Sequence, residues 1–337
     1  MRQIWVTKTG GPEVLKVKEA QDPWPQAGEV LIRVVASGLN FADLLARQGL
    51  YPDAPKPPCV LGYEVSGVVE GLGPGVDSVW AQKEVIALTR FGGQATKVTV
   101  PVNQVFLKPP RLSFEQGAAL PVNYLTAYQL IVVMGALKKG ETVLVHNAGG
   151  GVGLAALEFA HYIGATTYGT ASPGKHAFLK ERGYEKLFDY RSGDWAQEVL
   201  AATGGKGVDL VLDPVGGANW KKSYGVLAPA GRLGAYGVSS VKAGPFGALS
   251  FLPMLFQMPW FNFIRLMNDN KSVFGVNLGH MWSSSEKATE WMKELLAGVE
   301  AGWIDPHVDC VFSFDKIIQA HNYLADRRNT GKVILKP

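Results

Sequence analysis

The sequence predicts an α/β protein in which a doubly wound parallel sheet is joined to a β-rich domain. A chain of 337 residues is long for a single hydrophobic core, so two domains are expected. Up to Pro110, short apolar runs such as 30–35 and 85–88 are separated by Gly and Pro at close intervals, the rhythm of a β-rich domain. From Ser113 onward, helix-compatible segments alternate with the buried-strand runs 142–145, 166–170, 210–213 and 232–236, which is the order of a parallel, doubly wound sheet. Residues 273–276 suit a last sheet strand. An amphipathic helix around 286–298 and a strand-helix-strand tail ending at 331–335 then return to the first domain. The predicted domains are therefore 1–121 with 277–337, and 122–276.

Composition narrows the function classes. A net charge of +4, with Lys and Arg scattered, gives no stripe for nucleic acid and no polybasic anchor. The first residues alternate as a strand rather than forming the apolar core of a signal peptide, so a cytoplasmic location is expected. Two cysteines, Cys59 and Cys310, support neither a disulfide framework nor a four-Cys zinc site. The six histidines lack His-x-x-x-His spacing, and no metal is expected.

The most informative segment runs from Glu141 to Leu157. It holds a strand, the turn Asn147-Ala148-Gly149-Gly150-Gly151-Val152-Gly153, and an apolar helix. In that order the segment is a Rossmann unit: Gly150 lets the backbone approach a pyrophosphate, Gly153 allows close helix packing, and N–H groups of Gly151 and Val152 at the helix start favour an anion. A dinucleotide site for NAD carries Asp or Glu at the end of the second strand to hold the ribose 2′-hydroxyl. Here that end reads Gly169-Thr170-Ala171-Ser172-Pro173-Gly174-Lys175. The hydroxyl of Ser172 and the charge of Lys175 suit a 2′-phosphate instead, with Tyr190 closing the pocket from the next strand, so NADPH is the expected cofactor.

Six segments, with the Gly-rich turn among them, carry a family resemblance. The others are Ser37-Gly38-Leu39-Asn40-Phe41-Ala42-Asp43, Leu61-Gly62-Tyr63-Glu64-Val65, Leu120-Pro121-Val122-Asn123-Tyr124-Leu125-Thr126, Asp213-Pro214-Val215-Gly216-Gly217 and Thr330-Gly331-Lys332-Val333. With them the chain resembles the zinc-free quinone oxidoreductase (zeta-crystallin-like) branch of the medium-chain dehydrogenase/reductases, and within it the homologues of the synaptic-vesicle amine transport protein. The resemblance implies a GroES-like catalytic domain beside the Rossmann domain, and a homodimer. Zinc-dependent relatives carry Cys where this chain has Asn40 and His where it has Tyr63, while Glu64 is kept; the four-Cys lobe is missing too. Without that Lewis acid, alcohol oxidation gives way to hydride transfer from NADPH to a quinone or an α,β-unsaturated carbonyl.

The family pattern places Asn40, Asp43 and Tyr51 at the reacting groups. Asn40 would orient the cofactor or the acceptor carbonyl, Tyr51 would donate its hydroxyl to the acceptor oxygen, and Tyr63 ranks below it. Asp43 lies four residues before Arg47, so a helical ion pair is its other reading. Thr126 resembles a contact to the nicotinamide side, the Phe274-Gly275-Val276 strand end resembles the backbone that holds the carboxamide, and Tyr236 is counted with the cofactor residues. The apolar segment 246–267 contains Pro253, Pro259, Asn262 and Arg265, which argue against a spanning helix. It is expected to cover the substrate or form a dimer contact, with membrane adhesion as the lesser reading. A rival function follows: an NADP(H)-binding, weakly catalytic, membrane-associated protein.

Overall fold

The computed structural model describes residues 1–191, 193–241 and 252–337, which fall into two units. One comprises Met1–Leu125 and Leu278–Pro337, the other Thr126–Asn277.

The second unit is built on six strands in the spatial order Lys186–Asp189, Thr166–Ala171, Thr142–His146, Val208–Asp213, Leu227–Ala235 and Ser272–Gly275, every pairing parallel. Numbered along the chain within the unit, that order is 3-2-1-4-5-6, the Rossmann arrangement. Val143, Leu144 and Val145 are fully buried, as strands covered by helices on both faces require. Trp195, Val199 and Tyr224 from the covering helices join Leu144, Tyr168, Val211 and Leu233 in one apolar cluster. The first crossover helix, Gly151–Ile163, ends at Gly164 with φ 83°, a left-handed cap that glycine takes without steric cost. Strand order reverses between Thr142–His146 and Val208–Asp213, so their carboxyl ends flank the crevice where ligands bind in such sheets.

The first unit holds a seven-stranded sheet and a smaller three-stranded one. Its central strand, Glu29–Leu39, pairs antiparallel with Glu64–Leu72, Lys97–Pro101 and Lys332–Lys336. Val30, Ile32, Val34, Val65, Val69 and Val85 pack on one face and form its apolar core. Two registers position the site: Ser37 lies opposite Val65, and Val333 lies opposite Leu39. Continued by one residue, they bring Glu64 and Lys332 to the strand end from which Asn40 starts the helix Phe41–Arg47.

The apolar segment 246–267 is described only from Leu252; residues 246–251 lie outside the described residues. Its described part forms two short helices, Leu252–Gln257 and Phe263–Asp269. Phe256, Trp260, Phe263, Ile264 and Met267 are exposed. Among the described residues no helix is long and apolar enough to cross a membrane.

Candidate functional site

In the Rossmann unit, Asn147 takes φ 55° immediately after the first strand, a left-handed position that Asn tolerates better than most residues. Its carbonyl accepts from the Gly150 N–H at 2.8 Å, which closes the turn before the helix begins. A β-carbon at Gly153 would lie 2.5 Å from the Ala148 carbonyl oxygen, so helix and turn can approach this closely only with glycine there. Ala148 replaces the first glycine of the motif without disrupting it. Its methyl lies against the backbone of Gly169 on the neighbouring strand, where a β-carbon would come within 2.7 Å.

Ser172 precedes the single turn Pro173–Lys175, and the Lys175 side chain folds back over the Gly-rich turn. Its Cδ lies 3.0 Å, and its Nζ 3.8 Å, from where a β-carbon of Gly149 would sit. The parallel register of Ala171 with Asp189 sets Ser172 and Tyr190 at matching strand ends. Arg191, which the sequence reading left unassigned, donates from Nε to the Tyr190 hydroxyl at 3.4 Å and stacks over its ring. This strand edge thus gathers a hydroxyl, a lysine and an arginine. Only the adjacency of Arg191 to Tyr190 hinted at the last.

Deeper in the sheet, His146, Thr170, Asp213 and Ser223 are buried together. The Asp213 carboxylate accepts from the Ser223 hydroxyl at 2.6 Å, from Asn219 Nδ2 at 2.7 Å and from the Val215 N–H at 2.7 Å. Because Ser223 spends its only proton on Asp213, its oxygen accepts from His146 Nε2 at 3.0 Å, and His146 Nδ1 accepts from the Thr170 hydroxyl at 2.9 Å. Burial lowers the His146 pKa, against the charge of Asp213. The network pins the loop that leaves Asp213. Tyr236, whose N–H donates to the Asp213 carbonyl, is held in its neutral phenol form by burial and by the Asp213 charge. Val276 donates its N–H to the Ala235 carbonyl, and the Phe274 ring covers Gly234 on the neighbouring strand. Thr126 is buried in the helix Pro121–Tyr128.

In the β-rich unit, Asn40, Glu64 and Lys332 form a buried polar centre. Lys332 Nζ donates to Asn40 Oδ1 at 2.7 Å and to Glu64 Oε1, and Asn40 Nδ2 donates to that same Glu64 oxygen at 2.9 Å. Glu64 Oε2 accepts from the Val122 N–H at 2.7 Å. A β-carbon at Gly38 would fall on the Glu64 carboxylate, the Ala118 carbonyl and the Lys332 side chain, so glycine makes the room.

Asp43 requires a correction. It makes no ion pair with Arg47 and is fully buried. Its carboxylate accepts from the N–H groups of Asn40, at 2.8 Å, and Gly62, at 3.2 Å. Desolvation raises its pKa to about 7, against those two bonds and the Lys332 charge. Those two bonds tie the turn at Asn40 to the loop at Gly62. Arg47 turns to buried His321, with Nη1 3.4 Å from Nδ1. Tyr51 is half-buried, with its ring 6.3 Å from that of Tyr63, and Tyr63 packs in turn on Phe91. The Tyr63 hydroxyl is enclosed without a hydrogen-bond partner, and burial pushes its pKa up.

Residues 26–110 match the family model described as the alcohol dehydrogenase GroES-like domain, and residues 182–335 match the one described as zinc-binding dehydrogenase. The chain is 39% identical to the human synaptic vesicle membrane protein VAT-1 homolog over all of its own length and 86% of that protein's. It is 31% identical to human quinone oxidoreductase, covering 99% of this chain and 97% of the relative. The chain is a medium-chain dehydrogenase/reductase. A solved structure of Escherichia coli quinone oxidoreductase complexed with NADPH superposes on this dehydrogenase/reductase with a TM-score of 0.88 at 30% identity, over the full length of both chains. The positions that resemble metal ligands hold Asn40 and Tyr63. Among the described residues of this medium-chain dehydrogenase/reductase, no three His, Cys, Asp or Glu side chains are grouped to hold a metal ion.

Proposed function

We propose that this chain binds NADPH and transfers hydride to a quinone or an α,β-unsaturated carbonyl, without zinc, as a cytoplasmic homodimer. The observation that carries the cofactor half is the strand end after Ala171, where no carboxylate stands and Lys175 lies over the Gly-rich turn beside Ser172. Gly150, Gly151, Val152 and Gly153 would hold the pyrophosphate. Ser172, Lys175 and Tyr190 would hold the 2′-phosphate, with Thr126, Tyr236, Phe274 and Val276 toward the nicotinamide. When bound, NADPH supplies the hydride. Conjugation in the acceptor already directs the developing negative charge to oxygen, so one or two hydrogen-bond donors suffice. Tyr51 is proposed to donate its hydroxyl to that oxygen, and Asn40 to orient the acceptor or the cofactor.

The test is acceptor-dependent NADPH oxidation by the purified chain across a panel of quinones and enones. Turnover with NADPH well above NADH is expected; equal use of both removes the 2′-phosphate pocket, and no turnover with any acceptor removes the reductase reading. A second reading, a weakly catalytic NADPH-binding protein associated with membranes, is favoured by the exposed Phe256, Trp260, Phe263, Ile264 and Met267. Retained NADPH binding with co-sedimentation on liposomes and no oxidation would select it.

A further inference from the structure

Lys332 is 268 residues from Glu64 and 292 from Asn40, and its side chain is only 3% exposed. An ammonium only donates, so the Asn40 oxygen must face Lys332, and the amide nitrogen must then face Glu64. Charge thereby selects one of the two flips of an otherwise symmetric-looking amide. Asn40 in turn sits at the start of the helix Phe41–Arg47, with its own N–H held by Asp43.

We propose that Lys332 is a positioning residue: a buried, fixed cation that locks the Asn40 amide against Glu64 so that its second Nδ2 proton meets a ligand in one orientation. The assignment rests on the reductase reading for the reaction it serves. The locking itself does not depend on that reading. Glu64 completes the clamp by tying the same centre to the Val122 N–H at the first turn of the helix Pro121–Tyr128.

The test uses the full chain with Lys332→Met, Lys332→Arg and the double variant Lys332→Met/Glu64→Gln, which removes both charges and keeps the fold testable if the single variant fails. Steady-state kcat and KM with NADPH and a quinone are read beside thermal midpoints. Selective ¹⁵N-Asn labelling follows the side-chain amide pair that Asn40→Asp abolishes. A misplacement of about 1 Å costs on the order of 100-fold in rate. Lys332→Met is therefore expected to lower kcat by roughly 10- to 100-fold with little change in KM, and Lys332→Arg to restore much of it. The double variant should recover the thermal midpoint but not kcat. Recovery of kcat together with the midpoint would mean that Lys332 only balances charge, and would overturn the proposal. If the wild type fails to oxidise NADPH with every quinone and enone offered, the reductase reading fails on its own. The Asn40 amide still decides the locking: exchange protection lost in Lys332→Met and regained in Lys332→Arg supports it, and a signal unchanged in Lys332→Met sinks it.

Discussion

The two units each enclose a fully buried carboxylate, and they satisfy it in different ways. Glu64 in the β-rich unit is met by an ammonium, an amide and a backbone N–H. Asp213 in the Rossmann unit is met by a hydroxyl, an amide and backbone N–H groups from its own loop, without a cation. A charge pair concentrates its worth in two groups, so deleting one leaves the other stranded in a low-dielectric interior. A set of neutral donors spreads the same task, and losing one leaves the others in place. The first arrangement is brittle and the second is graded.

The largest expected effect tests the brittle centre. Glu64→Gln strands the Lys332 ammonium and should lower unfolding stability by about 3–5 kcal/mol, read from urea midpoints at constant slope. Next comes a difference in the sign of pH dependence. Asp43, raised to about 7 from 3.8, binds its proton more tightly when folded; its contribution is full below pH 3.8 and is lost as pH rises toward 7, a change of about 4 kcal/mol. His146, with its pKa lowered by burial, contributes fully above pH 6.5 and loses that contribution as pH falls. Asp43→Asn should flatten the first limb and His146→Asn the second. If each variant flattens the other's limb, the comparison is wrong.

A smaller loss, about 1–3 kcal/mol, is expected for Asp213→Asn, which keeps one acceptor oxygen. Equality with Glu64→Gln in the same titration would erase the distinction between the centres. The smallest effect concerns the ligand. Lys175→Ala should weaken NADPH binding by about tenfold, the worth of one half-buried charge-assisted contact, and leave NADH binding as it was. Calorimetry with both nucleotides checks it.

Legibility in the sequence follows the distance along the chain. The strand, turn and helix from Glu141 to Leu157 were readable because each glycine answers a neighbour a few residues away, as Gly153 answers Ala148. The missing acid after Ala171 was readable for the same reason. Asp43 and Arg47 misled: helical spacing suggested a pair, but Gly62 and Asn40 supply N–H groups to one and His321 faces the other. Apolar content did not separate Phe261 and Leu266, which pack on the Rossmann core, from Phe256, Trp260, Phe263, Ile264 and Met267, which are exposed in the single chain. The relay through His146 and Ser223 carried no signal of its own, since its partners come from other strands and helices.

By itself the sequence determined the two architectures and the nucleotide turn, because hydrophobic period and glycine placement act over a few residues and need no partner from elsewhere. Only the tertiary structure decided which partners Asn40, Asp43, Glu64 and Lys332 meet. Two strand registers, Ser37 with Val65 and Val333 with Leu39, carry an acid and a base 268 residues apart to one strand end. No local pattern encodes that meeting, since the buried charge finds its partner only when the sheet has formed.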